Sequence, residues 1–324
     1  MTIVGGVDIG GTKCAVVIGS VNGGSVAVIG KRMYPTPASP HEAVDSFVLQ
    51  LRELMKEHGV ERLAAVGVSC GGPLDSRNGL VLSPPNLPHW DRIDVIGPLQ
   101  AEFGAPAGLQ NDANACALAE WRWGAGRGCG SMVFLTFGTG MGAGLILDGK
   151  LYVGANDMAG EVGHVRLADD GPVGYGKAGS FEGFCSGGGI AALARTMAER
   201  HLRQGGVTSF CGTVEELTSI TAKKVGEAAQ QGDPLALDIF RIVGEKLGRG
   251  LAVLVDVLNP ERIVIGSIYG RQRALLEPVA LDTLRKEGLA LSLAACSIVP
   301  AELGESVGDL ASLSVAMNVL ANRK

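Results

Sequence analysis

A chain of 324 residues exceeds the roughly 250–300 at which one hydrophobic core stops growing, so two domains are expected, with a cleft between them as the default site. With 46% hydrophobic and 19% charged residues, a net charge of −5 and no long basic run, the composition excludes a disordered chain and disfavours nucleic acid or an anionic membrane as partner. Seven scattered cysteines without a C-x-C or C-x-x-C pair read as reduced, cytoplasmic thiols, and neither a signal peptide nor an apolar run of about 18 residues is expected.

TIVGGVDIG (2–10), CAVVIG (14–19) and SVAVIGKRMYP (25–35) read as an antiparallel meander. Ser39 and Glu42 form an S-x-x-E capping box with Pro40 in the first turn, opening a helix whose apolar stripe runs from Val44 to Met55 and is closed by Gly59. LAAVGVS (63–69) is a buried strand entering the turn CGGPLD, AGLQN (107–111) a short strand, and DANACALAEWRW (112–123) an alanine-rich helix. The pattern then restarts: SMVFLTF (131–137), the turn GTGM, and GAGLILDGKLYVG (142–154) with a hairpin at Asp148-Gly149. An internal duplication or two unrelated glycine hairpins would both explain it. A long helix at 236–259 feeds the strand RIVIG (262–266); a helix near 270–287, a strand near 293–300 and a terminal helix follow.

The chemistry-bearing stretches are few. In DIGGTK (8–13), two glycines bring backbone N–H groups close to an anion, Thr12 adds a hydroxyl and Lys13 a charge, while Asp8 at the strand end suits the water shell of Mg²⁺. A plain hairpin turn explains the glycines but not the aspartate. The spacing fits neither the P-loop nor the dinucleotide fingerprint. GTGMG (138–142) is a second turn of the same kind, so the halves are expected to offer facing cradles to successive phosphates of one nucleotide. Asp112, where a short strand meets a helix, suits a general base, and equally Asn111 or Asp112 suits an N-cap.

DIGGTK, SCGGPLD (69–75), NDANA (111–115), FGTGMGAGLILDGKLYVGAND (137–157) and GEVGH (160–164), taken in order, resemble the ROK family (repressors, open reading frames and kinases) of the actin/hexokinase/Hsp70 superfamily. The resemblance implies an α/β fold of two ribonuclease-H-like, actin-like ATPase domains with an interdomain cleft. The smaller is expected at 1–118 plus 305–324 and the larger at 119–304. It implies ATP with Mg²⁺ as cofactors and a small-molecule sugar as partner, in a cytoplasmic homodimer that transfers phosphate to a hexose hydroxyl, usually at C6. Glucose is the commonest acceptor; N-acetylhexosamines, allose, fructose and β-glucosides are the alternatives. A non-catalytic sugar-binding regulator is a further one, although the phosphate motif at residue 8 leaves no room for the expected helix-turn-helix.

By the same resemblance Asp112 takes the hydroxyl proton, with Asn111 beside it. Glu161, His164 and Glu182 grip the sugar hydroxyls, and Gly72 and Asn86 line its other side. Asp8, Gly10, Gly11, Thr12, Lys13, Gly138, Thr139 and Gly140 face the phosphates, and Gly266 the adenosine. There the chain has Gly266-Ser267-Ile268 where further glycines are usual.

The family's zinc motif C-x-C-G-x-x-G-C-x-E falls on Val173, Tyr175 and Ser180, so all three thiolates are missing while Gly176, Gly179 and Glu182 remain. No zinc is expected, and packing of Val173, Tyr175 and Phe181 is expected to hold the loop instead.

Overall fold

The computed structural model describes residues 1–322; Arg323 and Lys324, the end of the segment expected to complete the smaller domain, lie outside the described residues. β1 (Thr2–Ile9), β2 (Lys13–Asn22) and β3 (Ser25–Pro35) form the antiparallel meander. α1 (Pro40–Glu57) begins where Ser39 Oγ accepts the Glu42 N–H, and it buries Val44, Phe47, Leu51 and Leu54. β4 (Val66–Cys70) is buried throughout, and β5 (Leu74–Asp75), β6 (Leu80–Leu82) and β7 (Asp91–Asp94) make a small separate sheet. α2 (Gly97–Phe103), β8 (Ala107–Asn111) and α3 (Asp112–Trp123) follow.

β9 (Met132–Phe137), β10 (Met141–Leu147) and β11 (Lys150–Tyr152) repeat the opening, with Asp148 and Gly149 both at positive φ in the β10–β11 turn. Beyond a two-strand hairpin, β12 (Val173–Gly174) and β13 (Lys177–Ala178), come α4 (Phe181–Phe184), α5 (Gly187–Arg203), α6 (Ala222–Gln230) and α7 (Pro234–Leu258). The chain ends with β14 (Arg262–Ile265), α8 (Ile268–Arg271), α9 (Arg273–Glu287), α10 (Ala290–Ala295), β15 (Ser297–Pro300) and α11 (Val307–Ala321). The strand expected near 293–300 is therefore a short helix through residue 295 and a strand only from Ser297.

The two main sheets share one topology. The first has the order β3-β2-β1-β4-β8, with β4 parallel to β1 and β8; the second has β11-β10-β9-β14-β15, with β14 parallel to β9 and β15. A meander followed by two parallel strands, twice over in sequence order, is what a duplication leaves and what unrelated hairpins would not.

By contacts the chain divides into two compact units. Unit 1 comprises Met1–Gly130, Gly144–Ala159 and the chain from Glu302, and unit 2 comprises Ser131–Ala143 and Gly160–Ala301. Unit 1 thus holds residues 119–130 and 144–159 beyond the expected boundary at 118, for physical reasons. That boundary would cut α3, whose buried Glu120 carboxylate accepts N–H groups from Ala125, Glu302 and Leu303 at 2.8–3.3 Å. Asp157 accepts both the backbone N–H and the hydroxyl of Ser76, at 2.9 and 2.6 Å.

The inner strands β1, β2 and β4 of the first sheet are covered on both faces, which is why they read as continuous apolar runs, whereas the edge strand β3 is largely exposed. Val16, Ile18 and Val68 pack with Phe47 and Leu51 of α1, whereas Val4, Val17 and Val21 pack with Leu310 and Leu313 of α11. α11 lies so close that a Cβ on Gly6 or Gly67 would collide with Ser312, so glycine there is a packing requirement.

Candidate active site

Three strands running the same way end together in unit 1. Asp8 pairs with Ser69, and Cys70 with Asn111, so the carboxyl ends of β1, β4 and β8 open on one recess of about 310 Å³, where ligands of open α/β sheets bind. Asp8, Gly10, Gly11, Gly72, Asn86 and Asp112 all line it. Gly10 N–H donates to Lys13 O at 3.1 Å, closing the first glycine turn, and Thr12 and Lys13 stand exposed. A Cβ on Gly11 would lie 2.5 Å from Asn86 O, so glycine is what lets the turn and the residue-86 loop meet.

The N-cap alternative resolves in favour of Asn111: its Oδ1 accepts the Asn114 N–H at 2.7 Å. Asp112 is the first helical residue, and its Oδ1 accepts the Ala113 N–H at 2.8 Å, with its own backbone N–H also beside the carboxylate. Water reaches this carboxylate through the mouth of the recess, yet the protein crowding it pushes its pKa up, partly opposed by the Ala113 N–H. Asp8 is pushed up to about 6, first by burial and further by the Asp112 charge, against the Ser69 hydroxyl that donates to it. Two carboxylates with raised proton affinity in one recess make it a place for acid–base work on a ligand.

In unit 2 the second glycine turn is pinned from two sides. Gly138 N–H donates to Gly140 O at 3.1 Å and Gly138 O accepts Gly187 N–H at 2.7 Å; Glu182 Oε2 accepts Met141 N–H at 3.0 Å. A Cβ on Gly140 would fall 2.8 Å from that oxygen, and Gly163 of GEVGH packs against both Met141 O and the Glu182 side chain. The structure therefore brings Glu182, Gly138–Gly140 and the GEVGH segment together. Glu161 precedes a 3₁₀ turn over Val162–His164, with His164 N–H donating to Glu161 O at 3.1 Å; positions i and i+3 align in such a turn. His164 is exposed, with its ring edge-to-face with Tyr175 at 6.4 Å.

A larger recess in unit 2, about 720 Å³, is lined by Gly138, Thr139, Gly187, Gly188, Ser267 and Arg271. Gly187 and Gly188 open the 17-residue α5 and line the recess beside the turn at 138–140; Gly187 N–H is spent on Gly138 O and Gly189 N–H on Ser186 Oγ, at 2.7 and 2.9 Å, which leaves the Gly188 N–H of the first turn for a ligand. The sequence reading missed this helix start; Ser186 followed by three glycines was its signal. Gly266 follows β14 and lies against Phe134, and Ser267 sits at φ 57°, ψ −113°, a conformation that favours glycine, although the residue is serine.

The zinc positions do not fit the metal. Val173 and Tyr175 belong to the β12–β13 hairpin and Ser180 Oγ is spent on the Gly183 N–H at 3.1 Å; no group of three His, Cys, Asp or Glu able to hold a metal ion occurs among the described residues. The expected packing is corrected. Val173 and Tyr175 are 60% and 80% exposed, and only Phe181 is buried. A two-residue turn at Tyr175-Gly176, both with positive φ, sends the tyrosine outward. The loop is held instead by backbone bonds, Leu167 and Ala168 N–H to Gly179 O at 2.8 and 3.1 Å and Gly179 N–H to Pro172 O at 3.1 Å, with Lys177 Nζ on His164 O at 2.8 Å.

Two sheets of this duplicated topology, each presenting a glycine turn, define the actin-like ATPase fold. A glucokinase from Thermotoga maritima is 30% identical over 315 residues, 96% of each chain. The crystal structure of a ROK family glucokinase from Streptomyces griseus in complex with glucose and AMPPNP superposes with a TM-score of 0.75 at 30% identity, covering 97% of this chain and 99% of that one. The DNA-binding transcriptional repressor Mlc of Escherichia coli is 31% identical over 231 residues, 71% of this chain and 55% of that protein. The ROK family model matches residues 4–317, and the chain belongs to the ROK family.

Proposed function

We propose that this protein transfers the terminal phosphoryl group of ATP to a hexose hydroxyl, the 6-OH of glucose or a close relative. The observation that carries the reading is Asp112: a carboxylate at the helix start, freed from capping by Asn111 and raised in proton affinity by the protein around it. A base works best with a pKa drawn towards the working pH. Asp112 takes the hydroxyl proton as the oxygen attacks phosphorus. Gly10, Gly11, Thr12 and Lys13, and in unit 2 Gly138, Thr139 and Gly140, offer N–H groups, a hydroxyl and a charge to the phosphates.

Gly72, Asn86 and Asn111 bind the sugar in unit 1; Glu161, His164 and Glu182 do so in unit 2. One Glu182 oxygen is engaged by Met141, leaving the other for a sugar hydroxyl. Gly266 and the recess beside it take the adenosine. Asp8, a hard oxygen donor whose ionised form would gain from a cation, fits the water shell of Mg²⁺; the ion supplies charge neutralisation on the phosphates when bound. The protein acts in the cytoplasm as a homodimer; exposed Val253 and Val257 on α7, Leu289 at the start of α10 and Leu291 on it support the dimer. Among the described residues no helix is long and apolar enough to cross a membrane.

The glucokinases match almost end to end, whereas the chain spans about half the length of the repressor. The test is ADP release over a panel of glucose, N-acetylglucosamine, N-acetylmannosamine, allose, fructose and a β-glucoside, with Asp112→Ala as control. Turnover with one or more sugars that the substitution removes is expected. Sugar binding without turnover in the parent would establish the regulator reading instead.

A further inference from the structure

At the outer end of α3, remote in sequence from Asp112 at its start, unit 1 has a second recess of about 410 Å³. It is walled by Val21, Trp121, Arg122, Trp123, Cys129 and Met317, with glycines 23, 128 and 130 leaving its rim free of side chains. No residue of the proposed reaction lines it.

Arg122 is the anomaly. Its guanidinium lies over the Trp121 ring, 5.4 Å from the centroid, and its one polar contact among the described residues is Nη2 to Asn318 Oδ1 at 3.5 Å. The Nε–H is buried without a hydrogen-bond partner, and among the described residues no carboxylate pairs with the group. Arg127, five residues on and more open to water, has Glu302. A guanidinium carries five donors in a planar fork that matches a carboxylate, and a half-withdrawn cation with its donors unspent is costly to keep.

The rest of the recess fixes what would complete it. The Trp121 indole N–H is committed to Cys129 O at 2.8 Å, and Trp123, Met317 and Val21 offer apolar surface, so the walls suit an apolar body and not a polyol. A single guanidinium in the last turn of α3, at the negative end of the helix dipole, compensates one negative charge and leaves a second exposed to repulsion. We propose that this recess binds a small organic monoanion, a carboxylate on an apolar body, with the carboxylate on Arg122 and the body between Trp121, Trp123 and Met317.

Titration calorimetry on the full chain tests this, with hexanoate as probe, hexanamide as its neutral counterpart and inorganic phosphate as the dianion. Saturable binding of one hexanoate per chain is expected, at least tenfold tighter than hexanamide or phosphate, at least tenfold weakened in Arg122→Met and less so in Arg122→Lys. Thermal unfolding of Arg122→Met is expected at or above the parent temperature, because the variant loses a half-buried cation whose Nε–H is unpartnered, which outweighs its contacts with the helix dipole and the Trp121 ring. Three results would overturn the proposal: no saturable hexanoate binding at millimolar concentration, binding unchanged in Arg122→Met, or phosphate binding as tightly as hexanoate. A lower unfolding temperature for Arg122→Met, with no hexanoate binding by either protein, would make the arginine a structural cap on α3.

Discussion

Asp8→Asn separates what the aspartate costs the fold from what it gives the site. The carboxyl is raised from 3.8 to about 6, chiefly by burial. Below the unfolded value both states hold the proton and nothing is lost. Between about pH 4 and 6 the unfolded chain ionises while the folded one keeps its proton, so stability falls with rising pH, and above about 6 the penalty is constant. Two units at about 1.4 kcal/mol each make an upper bound near 3 kcal/mol, and partial access of water to the side chain brings this to about 1–2 kcal/mol. Asparagine keeps an oxygen for the Ser69 hydroxyl and carries no charge. Asp8→Asn is therefore expected to raise the unfolding temperature of unit 1 at pH 7.5 by several degrees, about 2–4 °C per kcal/mol, with the advantage shrinking as pH falls through 6 to 4. Thermal scans of parent and variant across that range read it directly. A variant no more stable at pH 7.5, or a difference that ignores pH, would refute the reasoning.

Ser267 stands in a glycine conformation, so Ser267→Gly is expected to stabilise the protein by about 1–2 kcal/mol in chemical unfolding, less a few tenths for the lost Arg271 contact at 3.0 Å; a neutral or destabilised variant would show that the serine is not strained. In the loop at 171–184, Gly179→Ala places a methyl against Ala168 O at positive φ and is expected to cost about 2–4 kcal/mol, whereas Tyr175→Ala, at an exposed tip, is expected within about 0.5 kcal/mol of the parent. The opposite ranking in urea melts would return the loop to side-chain packing.

Much of the fold was legible because local signals and tertiary structure agree. The Ser39 capping box, the hairpin at Asp148-Gly149 and the alanine-rich 112–123 segment each specify their element from neighbouring residues alone. α5 was not legible, since three glycines at its start argue against a helix by propensity. Two of them have a steric reason, since a Cβ on Gly189 would strike Gly183 O at 2.1 Å and one on Gly187 would press on Gly138 O at 3.3 Å, and both contacts join residues distant in sequence or in different elements. The bond from Met141 N–H to Glu182 links residues 41 apart, and no spacing rule anticipates it. Val173 and Tyr175 misled because apolar and aromatic type was read as burial, while the two-residue turn between β12 and β13 decides which way the tyrosine faces. Of the site, the recess at the strand ends followed from DIGGTK, SCGGPLD and NDANA, each placed where a strand stops.

The proposed reaction turns on Asp112 as the base of a phosphoryl transfer from ATP to a sugar hydroxyl. A single-turnover measurement with γ-labelled ATP and saturating acceptor sugar, comparing the parent with Asp112→Asn while sugar affinity is followed by calorimetry, tests it most directly. The expected result is a loss of about 10²–10⁴-fold or more in the transfer rate, with sugar affinity within a few-fold of the parent. Label transfer at the parent rate by Asp112→Asn would contradict the account.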